Sequence, residues 1–323
     1  VDSSRNAALA YWQAFAQLPP TNQEQDKVLR GPASDQLNEV APKLIERSKG
    51  SMDALRRGRS MAECEWGLEF EAGPLMVLPH LSKARELARF AGLHARKHFA
   101  EGDVEAAMRV LGDTLVLARR SGSDDVLISL LVQYAMEELV MDAIVYYLPS
   151  MDADQIDLLE GGLDALPEGG SMMACLRMEQ EIFVGWARRI VKEAASDEEA
   201  VRMLKSAIIS PEENDDERDP SVTREQMTKW LDGTSQDYDE LFDVFQAPDD
   251  EFNTRWNALV DRVREDNPFS AMVFPALGRI RDVRDKITAQ WALFRAAIKL
   301  VRDGADVRET LEDPFGDGPF QYE

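Results

Sequence analysis

The stretch DVLISLLVQYAMEELVMDAIVYYL, residues Asp125–Leu148, decides how this chain folds. As one α-helix of about 24 residues it would be roughly 36 Å long, which is enough to cross a bilayer. Three acids, Glu137, Glu138 and Asp142, fall in its middle, and each would cost about 2–3 kcal/mol at the bilayer centre. The stretch therefore predicts a helix buried in a protein core, and no transmembrane segment.

Helical spacing sorts the polar side chains of this stretch into two lines. Ser129, Gln133 and Glu137 fall on one line, and Glu138 and Asp142 fall on another. The rest of the surface is apolar, so we expect neighbouring helices to cover it from several sides.

Two further helices are predicted before this stretch. The first runs from Ser82 to about Ala100, and the second runs from Asp103, which can cap it, to Arg120. The turn between them contains Gly102 and is short. Short connections make consecutive helices pack antiparallel, so residues 82–120 should form a hairpin against the central helix.

Part of this hairpin resembles a tetratricopeptide-type unit. In AEGDVEAAMRVLGDTLVLARR the Gly102-Asp103 pair stands where that family turns, Ala107 matches its small packing position, and Leu111 matches its larger one. Thr114 replaces a usual Ala, and the chain shows no 34-residue repeat elsewhere. The resemblance therefore implies only the geometry of one helical hairpin.

The remaining pattern is helical throughout, because no alternating β-branched run of useful length appears. We predict an all-α array that forms a single multihelical domain over residues 1–323. Gly50 should separate two helices, and the last long helix should begin after Pro275. The acidic segment 210–220 is predicted to be a mobile loop, and residues 313–323 an extended tail.

Composition limits the partners of the chain. Sixty acidic and 37 basic residues give a formal net charge of −23, which repels nucleic acid and anionic membranes. The predicted partner is a protein or peptide, cationic rather than anionic if it is charged. Cys64 and Cys175 are either two buried thiols or one disulfide, and neither belongs to a CxxC motif.

The three histidines lie within a short part of the chain. His94 and His98 are spaced i,i+4 on one predicted helix, so both rings could reach one metal ion. The pattern HExxH is absent, since Ala95 follows His94. The competing interpretation is that these rings are buried or half-buried and bond to a carboxylate or a carbonyl group, as His80 would be.

The acids of the central helix are the second candidate for chemistry. Glu137, Glu138 and Asp142 could meet two glutamates of the predicted helix at 171–194 and form a di-carboxylate site for a metal or for acid–base catalysis. No ExxH partner is present, as carboxylate-bridged metal bundles need. The alternative is that these acids form salt bridges with arginines of that same helix or face solvent.

Four stretches of the chain resemble a family of uncharacterised exported bacterial helical proteins. They are AYWQAFAQLPP at 10–20, CEWGLEFEAGPLMVLPHLSKARELAR at 64–89, PAL at 275–277, and DPF with PFQY within 313–322. The family tail carries a Gly-Lys-Pro-like turn, where this chain has Asp317-Gly318-Pro319. The resemblance implies export, an all-helical fold and a fixed C-terminal tail, and it implies no activity.

The sequence thus predicts a non-enzymatic helical binding or scaffold protein of the bacterial cell envelope, without a cofactor, a catalytic residue or a resident metal. Nucleophile-elbow, phosphate-loop, dinucleotide and EF-hand motifs are absent. The candidate binding residues are Glu137, Glu138, Asp142, His94 and His98. The alternative is a hydrolase or metal-binding enzyme that uses the central carboxylates together with the histidine pair.

Overall fold

A computed structural model describes residues 5–32, 39–208, 222–316 and 318–321, except for the side chains of residues 205–208. These residues are helical with connecting loops and contain no strand. The predicted all-α, multihelical array is therefore confirmed. The predicted mobile loop at 210–220 lies outside the described residues.

Twelve α-helices and three short 3₁₀ helices follow one another in the described chain. The α-helices are α1 (Ala7–Ala16), α2 (Gln23–Arg30), α3 (Ala41–Arg59), α4 (Pro79–Ala100), α5 (Val104–Ser121), α6 (Leu127–Tyr147), α7 (Ala153–Asp164), α8 (Met172–Glu193), α9 (Asp197–Ile208), α10 (Arg224–Phe245), α11 (Asp249–Asp266) and α12 (Pro268–Asp303). The 3₁₀ helices are Phe70–Leu75, Leu148–Ser150 and Ala305–Thr310.

The chain divides into two compact units. Unit 1 comprises residues 1–67, 78–171 and 285–323, and unit 2 comprises residues 68–77 and 172–284. Helices α1–α7 belong to unit 1 and α8–α11 to unit 2, while α12 contributes residues to both. No linker-like composition marks the boundaries of these units in the sequence, for which a single domain was predicted.

The predicted hairpin is the centre of unit 1. Helices α4 and α5 pack on each other, and both pack on α6. Gly102 turns the chain between them with φ of +78°, a conformation that favours glycine. Asp103 caps α5, because its side chain accepts a hydrogen bond from the Ala106 N–H at 3.0 Å. Ala107 and Leu111, the positions that resemble tetratricopeptide packing residues, are fully buried.

Helix α6 is buried on several sides but keeps one exposed stripe. Leu130, Val140 and Ile144 lie in the core, whereas Ile128 and Tyr146 are exposed, as is Asp142 in the middle of the helix. Neighbours thus cover most of the helix and leave this stripe open. Within the described part of the chain, no helix has both the length and the apolar content that a membrane span requires.

The predicted break at Gly50 is wrong, because α3 runs unbroken through that residue. Pro42 lies in its first turn, where the missing N–H removes no helical hydrogen bond. Gly58 allows close contact with α1, because a Cβ atom there would lie 2.3 Å from Cε1 of Tyr11. Tertiary packing on α1 and α4 therefore overrides the local weakness at Gly50.

Unit 2 has its own apolar core, which includes Phe183, Trp186 and Leu231. The 3₁₀ helix Phe70–Leu75 packs on α8, where Gly73 leaves room for the Trp186 ring. Helix α12 continues through Pro275, so the prediction that the helix begins after this residue is wrong.

The described residues of the C-terminal tail form a tight turn. Leu311 accepts a backbone hydrogen bond from Phe320 at 2.8 Å, and Gly318 accepts one from Asp313 at 3.0 Å. Glu312 and Pro319 form an antiparallel bridge between the two sides of the turn. The part of the tail that the structure describes thus doubles back on itself, where the sequence predicted an extended segment.

Candidate functional site

Glu137 lies at the centre of a buried polar cluster formed with Arg119, Gln133 and Trp291, called here the Glu137 cluster. The Glu137 side chain is 1% exposed. One carboxylate oxygen forms an ion pair with Arg119 Nε at 2.7 Å and accepts a hydrogen bond from Gln133 at 2.8 Å. The other accepts a hydrogen bond from the Trp291 indole at 2.7 Å.

This cluster connects α5, α6 and α12 within unit 1. Burial raises the pKa of Glu137, while the positive charge of Arg119 and the two hydrogen bonds oppose that rise. Gln133 also accepts a hydrogen bond from the backbone N–H of Gly170 at 3.0 Å. The carboxylate is thus occupied by protein groups, and its arginine comes from α5, not from the predicted helix at 171–194.

His94 and His98, the predicted metal-binding pair, have different surroundings. His94 is buried, and its Nε2 lies 2.8 Å from the Ser48 hydroxyl. Burial, helped by the nearby charges of His98, Lys97 and Lys49, lowers the pKa of His94 to about 4. The ring is therefore neutral at physiological pH and bonded to α3.

His98 is half-buried, and its Nδ1 lies 3.9 Å from an oxygen of Asp103. His80 is buried, stacks on Trp66 with ring centroids 4.4 Å apart, and lies 3.7 Å from an oxygen of Asp124. Across the described residues, no group of three or more His, Cys, Asp or Glu side chains could hold a metal ion.

Cys64 and Cys175 are not joined by a disulfide in this structure. Cys175 is buried, and burial raises the pKa of Cys64 to about 12. A thiol with that pKa stays protonated and is a poor nucleophile at neutral pH.

Glu138 and Asp142 line a pocket of about 330 Å³ in unit 1, called here the arginine–carboxylate pocket. The pocket lies among α4, α6 and the end of α2. Helix α4 contributes Arg89, Gly92 and Arg96 at i, i+3 and i+7, which is one face of a helix. The other lining residues are Leu29–Pro32 and, from one face of α6, Ala135, Glu138, Leu139, Asp142 and Ala143.

The arginines of this pocket differ in their bonding. Arg96 is buried and donates hydrogen bonds to the carbonyl groups of Val28 at 2.6 Å and Pro32 at 3.2 Å, so it fixes the end of α2. Arg89 is half-buried and makes no hydrogen bond or ion pair with any described residue. Burial lowers the pKa of Arg89, and the charge of Arg30 adds to this effect. The carboxylates of Asp26 and Glu86 act on Arg89 only as nearby charges that oppose this fall in its pKa.

The two carboxylates of the pocket differ in the same way. Glu138 accepts hydrogen bonds from Lys286 at 2.8 Å and Gln290 at 2.9 Å, and these bonds lower its pKa. Asp142 makes no such bond within the described structure. Partial burial and the neighbouring charge of Glu138 raise the pKa of Asp142. Among the described residues, the pocket therefore has a guanidinium and a carboxylate that make no hydrogen bond, and it suits a ligand that carries both charges.

Sequence reasoning found the acidic side of this pocket and missed the basic side. Neither Arg89 nor Arg96 was among the predicted binding residues. The i,i+7 spacing of these arginines was a usable signal. It could not show that α2 and α6 lie beside them, because those contacts are distant in sequence.

A scan against protein-family models and searches of the curated proteins and the solved structures found no match to this chain.

Proposed function

We propose that this chain is a non-enzymatic binding protein that holds a short charged segment of a protein or peptide in the arginine–carboxylate pocket. The observation that carries the proposal is the presence of Arg89 and Asp142 in one pocket of about 330 Å³, as oppositely charged groups that make no hydrogen bond or ion pair with another described residue. Ligand pockets in proteins are commonly about 300–1,000 Å³.

A ligand that carries both a negative and a positive charge would fit the arginine–carboxylate pocket best. A half-buried guanidinium that makes no hydrogen bond with the protein has lost part of its hydration. A ligand carboxylate would compensate for that loss through paired N–H···O bonds. A basic group of the same ligand would lie against Asp142, with Glu138 nearby. A peptide that carries an acidic and a basic side chain meets both conditions and agrees with the cationic preference expected of an acidic chain.

The alternative, a hydrolase or metal enzyme, has less support. Its carboxylate, Glu137, is occupied by Arg119, Gln133 and Trp291. His94 is bonded to Ser48 and has a pKa of about 4, which makes it a weak general base at neutral pH. No observation favours catalysis over binding.

The test uses a fluorescent, end-blocked pentapeptide, Gly-Glu-Gly-Lys-Gly, and fluorescence anisotropy. We expect Arg89→Met to weaken binding by about tenfold or more, because a charge-assisted hydrogen bond contributes roughly 1.5–3 kcal/mol. Arg85→Met is the matched control, since Arg85 is exposed on the same helix and does not line the pocket. Equal loss in the two variants, or no loss in either, contradicts the proposal.

A second arm tests the acidic side. In Asp142→Asn, the preference for Lys over Gln in the peptide should fall, while the preference for Glu over Gln should persist. An Asn variant that loses both preferences equally would indicate a disturbed pocket, and circular dichroism would check for this.

We further infer that the protein works in the bacterial cell envelope. The inference rests on the resemblance of four stretches to an exported family. Fractionation of the native cells, followed by immunoblotting, tests it. Recovery in the envelope or periplasmic fraction supports the inference, and recovery with a cytosolic marker contradicts it.

A further inference from the structure

A second and larger pocket of about 460 Å³ lies in unit 1, among α3, α5, α6 and α7. Its walls are mostly apolar. Leu158 is 46% exposed and faces water at this pocket, although it is a large hydrophobic residue. The other apolar side chains that line it are Met108, Leu115, Ile144, Leu159 and Leu163.

The edge of this pocket is basic. Arg56 and Arg59 come from successive turns at the end of α3, and Arg109 comes from α5. Arg109 is paired with Glu105. Arg56 and Arg59 share one carboxylate, that of Asp113, at 3.9 Å and 3.1 Å. Asp113 is 2% exposed, so it is held inside while the arginines reach outward.

These arginines keep hydrogen-bond donors for a ligand. The side chains of Arg56 and Arg59 are 56% and 34% exposed, and each guanidinium has five N–H groups. Gly112 leaves room for the end of the Arg59 side chain, since a Cβ atom there would lie 2.8 Å from Arg59 Nη1. Three guanidiniums against two carboxylates give a local positive excess on a chain of net charge −23.

The geometry points to a binding site for an amphiphilic anion, a molecule with a carboxylate or phosphate head and an apolar chain. The head would bind the N–H groups of Arg56 and Arg59, which match the oxygens of such groups in pairs. The apolar chain would cover Leu158 and the leucines of α7, which removes exposed apolar surface from water. The pocket shares no lining residue with the arginine–carboxylate pocket, so this inference stands apart from the proposed function.

The first experiment is isothermal titration of the whole protein with decanoate, decyl phosphate and decanol. Both anions should bind at least tenfold more tightly than decanol, because only they engage the arginines. From hexanoate to octanoate to decanoate, affinity should rise roughly fourfold for each added methylene that is buried. Comparison of decanoate with decyl phosphate identifies the preferred head.

A matched pair of glycines in α7 locates the site. An added Cβ atom at Gly161 or Gly162 meets no atom within 4 Å, so both positions accept a larger side chain. Gly162 lines the pocket and Gly161 does not. Gly162→Phe should fill the pocket and weaken decanoate binding at least tenfold, while Gly161→Phe should leave it unchanged.

A matched pair of arginines tests recognition of the head. Arg56→Met should reduce the preference for decanoate over decanol several-fold, whereas Arg57→Met should not, because Arg57 does not line the pocket. Arg59 is unsuitable, since its loss would leave the buried Asp113 without its nearest partner. The proposal is overturned if decanoate fails to bind, if decanol binds equally well, or if the two phenylalanine variants behave alike.

Discussion

Glu137 and Glu138 are neighbours on one helix and have opposite environments. Glu137 is enclosed by three side chains from α5, α6 and α12, and burial raises its pKa. Glu138 stands at the edge of the arginine–carboxylate pocket, where Lys286 and Gln290 lower its pKa. One step along a helix turns a side chain by about 100°, which here separates the interior from the arginine–carboxylate pocket.

The comparison shows that residue type and position along a helix do not by themselves determine whether a glutamate is buried in a hydrogen-bonded cluster or lines a pocket. The first carboxylate is a structural group whose acceptors are filled. The second is held from one side and lies beside Asp142, whose carboxylate is uncommitted.

Replacement of Glu137 should be the most damaging change. Glu137→Ala removes the partner of Arg119 and leaves the Trp291 indole and the Gln133 amide without their acceptor. Breaking a buried pair in this way typically lowers the free energy of unfolding by about 3–5 kcal/mol. Urea denaturation measures it, with Glu138→Ala as the matched control. Equal losses in the two variants would show that the division between the neighbours is wrong.

The pH dependence of stability should have opposite signs for the two acids. A carboxyl group whose pKa is raised by folding, such as Glu137, stabilises the fold at low pH, and this contribution is lost as pH rises from its ordinary 4.5 through the raised value. Glu138, whose pKa is lowered, contributes stability above 4.5 that is lost as pH falls through its lowered value.

Urea denaturation at a series of pH values measures both slopes. In Glu137→Gln the loss on the alkaline side of 4.5 should be smaller than in the wild type. In Glu138→Gln the loss on the acidic side should be smaller. A slope that changes on the same side in both variants would contradict the opposite pKa shifts.

Removal of Lys286 should have the smallest effect. Lys286 is largely exposed and pairs with Glu138 at 2.8 Å, and exposed ion pairs contribute about 0.2–1 kcal/mol. Lys286→Met should therefore change the free energy of unfolding by less than about 1 kcal/mol. It should also raise the pKa of Glu138, which NMR titration detects. A loss comparable to that of Glu137→Ala would place Glu138 in a structural cluster as well.

The hairpin and the helix that it packs on were predictable because their signals are local. Gly102 sets the turn, Asp103 caps the second helix, and apolar spacing defines the faces that meet. The unbroken α3 and α12 were not predictable. Gly50 and Pro275 weaken a helix locally, and packing against other helices supplies what the local sequence lacks.

The candidate site was predictable only in part. The spacing of Glu138 and Asp142 placed them on one face, and the structure finds them in one pocket. The i,i+4 spacing of His94 and His98 suggested a shared ligand, yet His94 bonds to Ser48 on a helix far away in sequence. The spacing of residues along a helix shows which side chains share a face. It does not identify the residues, distant in sequence, that contact them.

The sequence by itself determined that the protein is all-α, where its central hairpin turns, and that Asp125–Leu148 belongs to a core. These properties follow from periodicity, capping and turn residues, which act over a few positions. Only the tertiary structure decided that Arg119 neutralises Glu137, that Arg89 faces the same pocket as Asp142, and that Arg56 and Arg59 edge an apolar pocket. Each of these contacts depends on helices that pack together because they bury apolar surface. The hydrophobic effect is non-directional, so it does not specify which polar groups will meet.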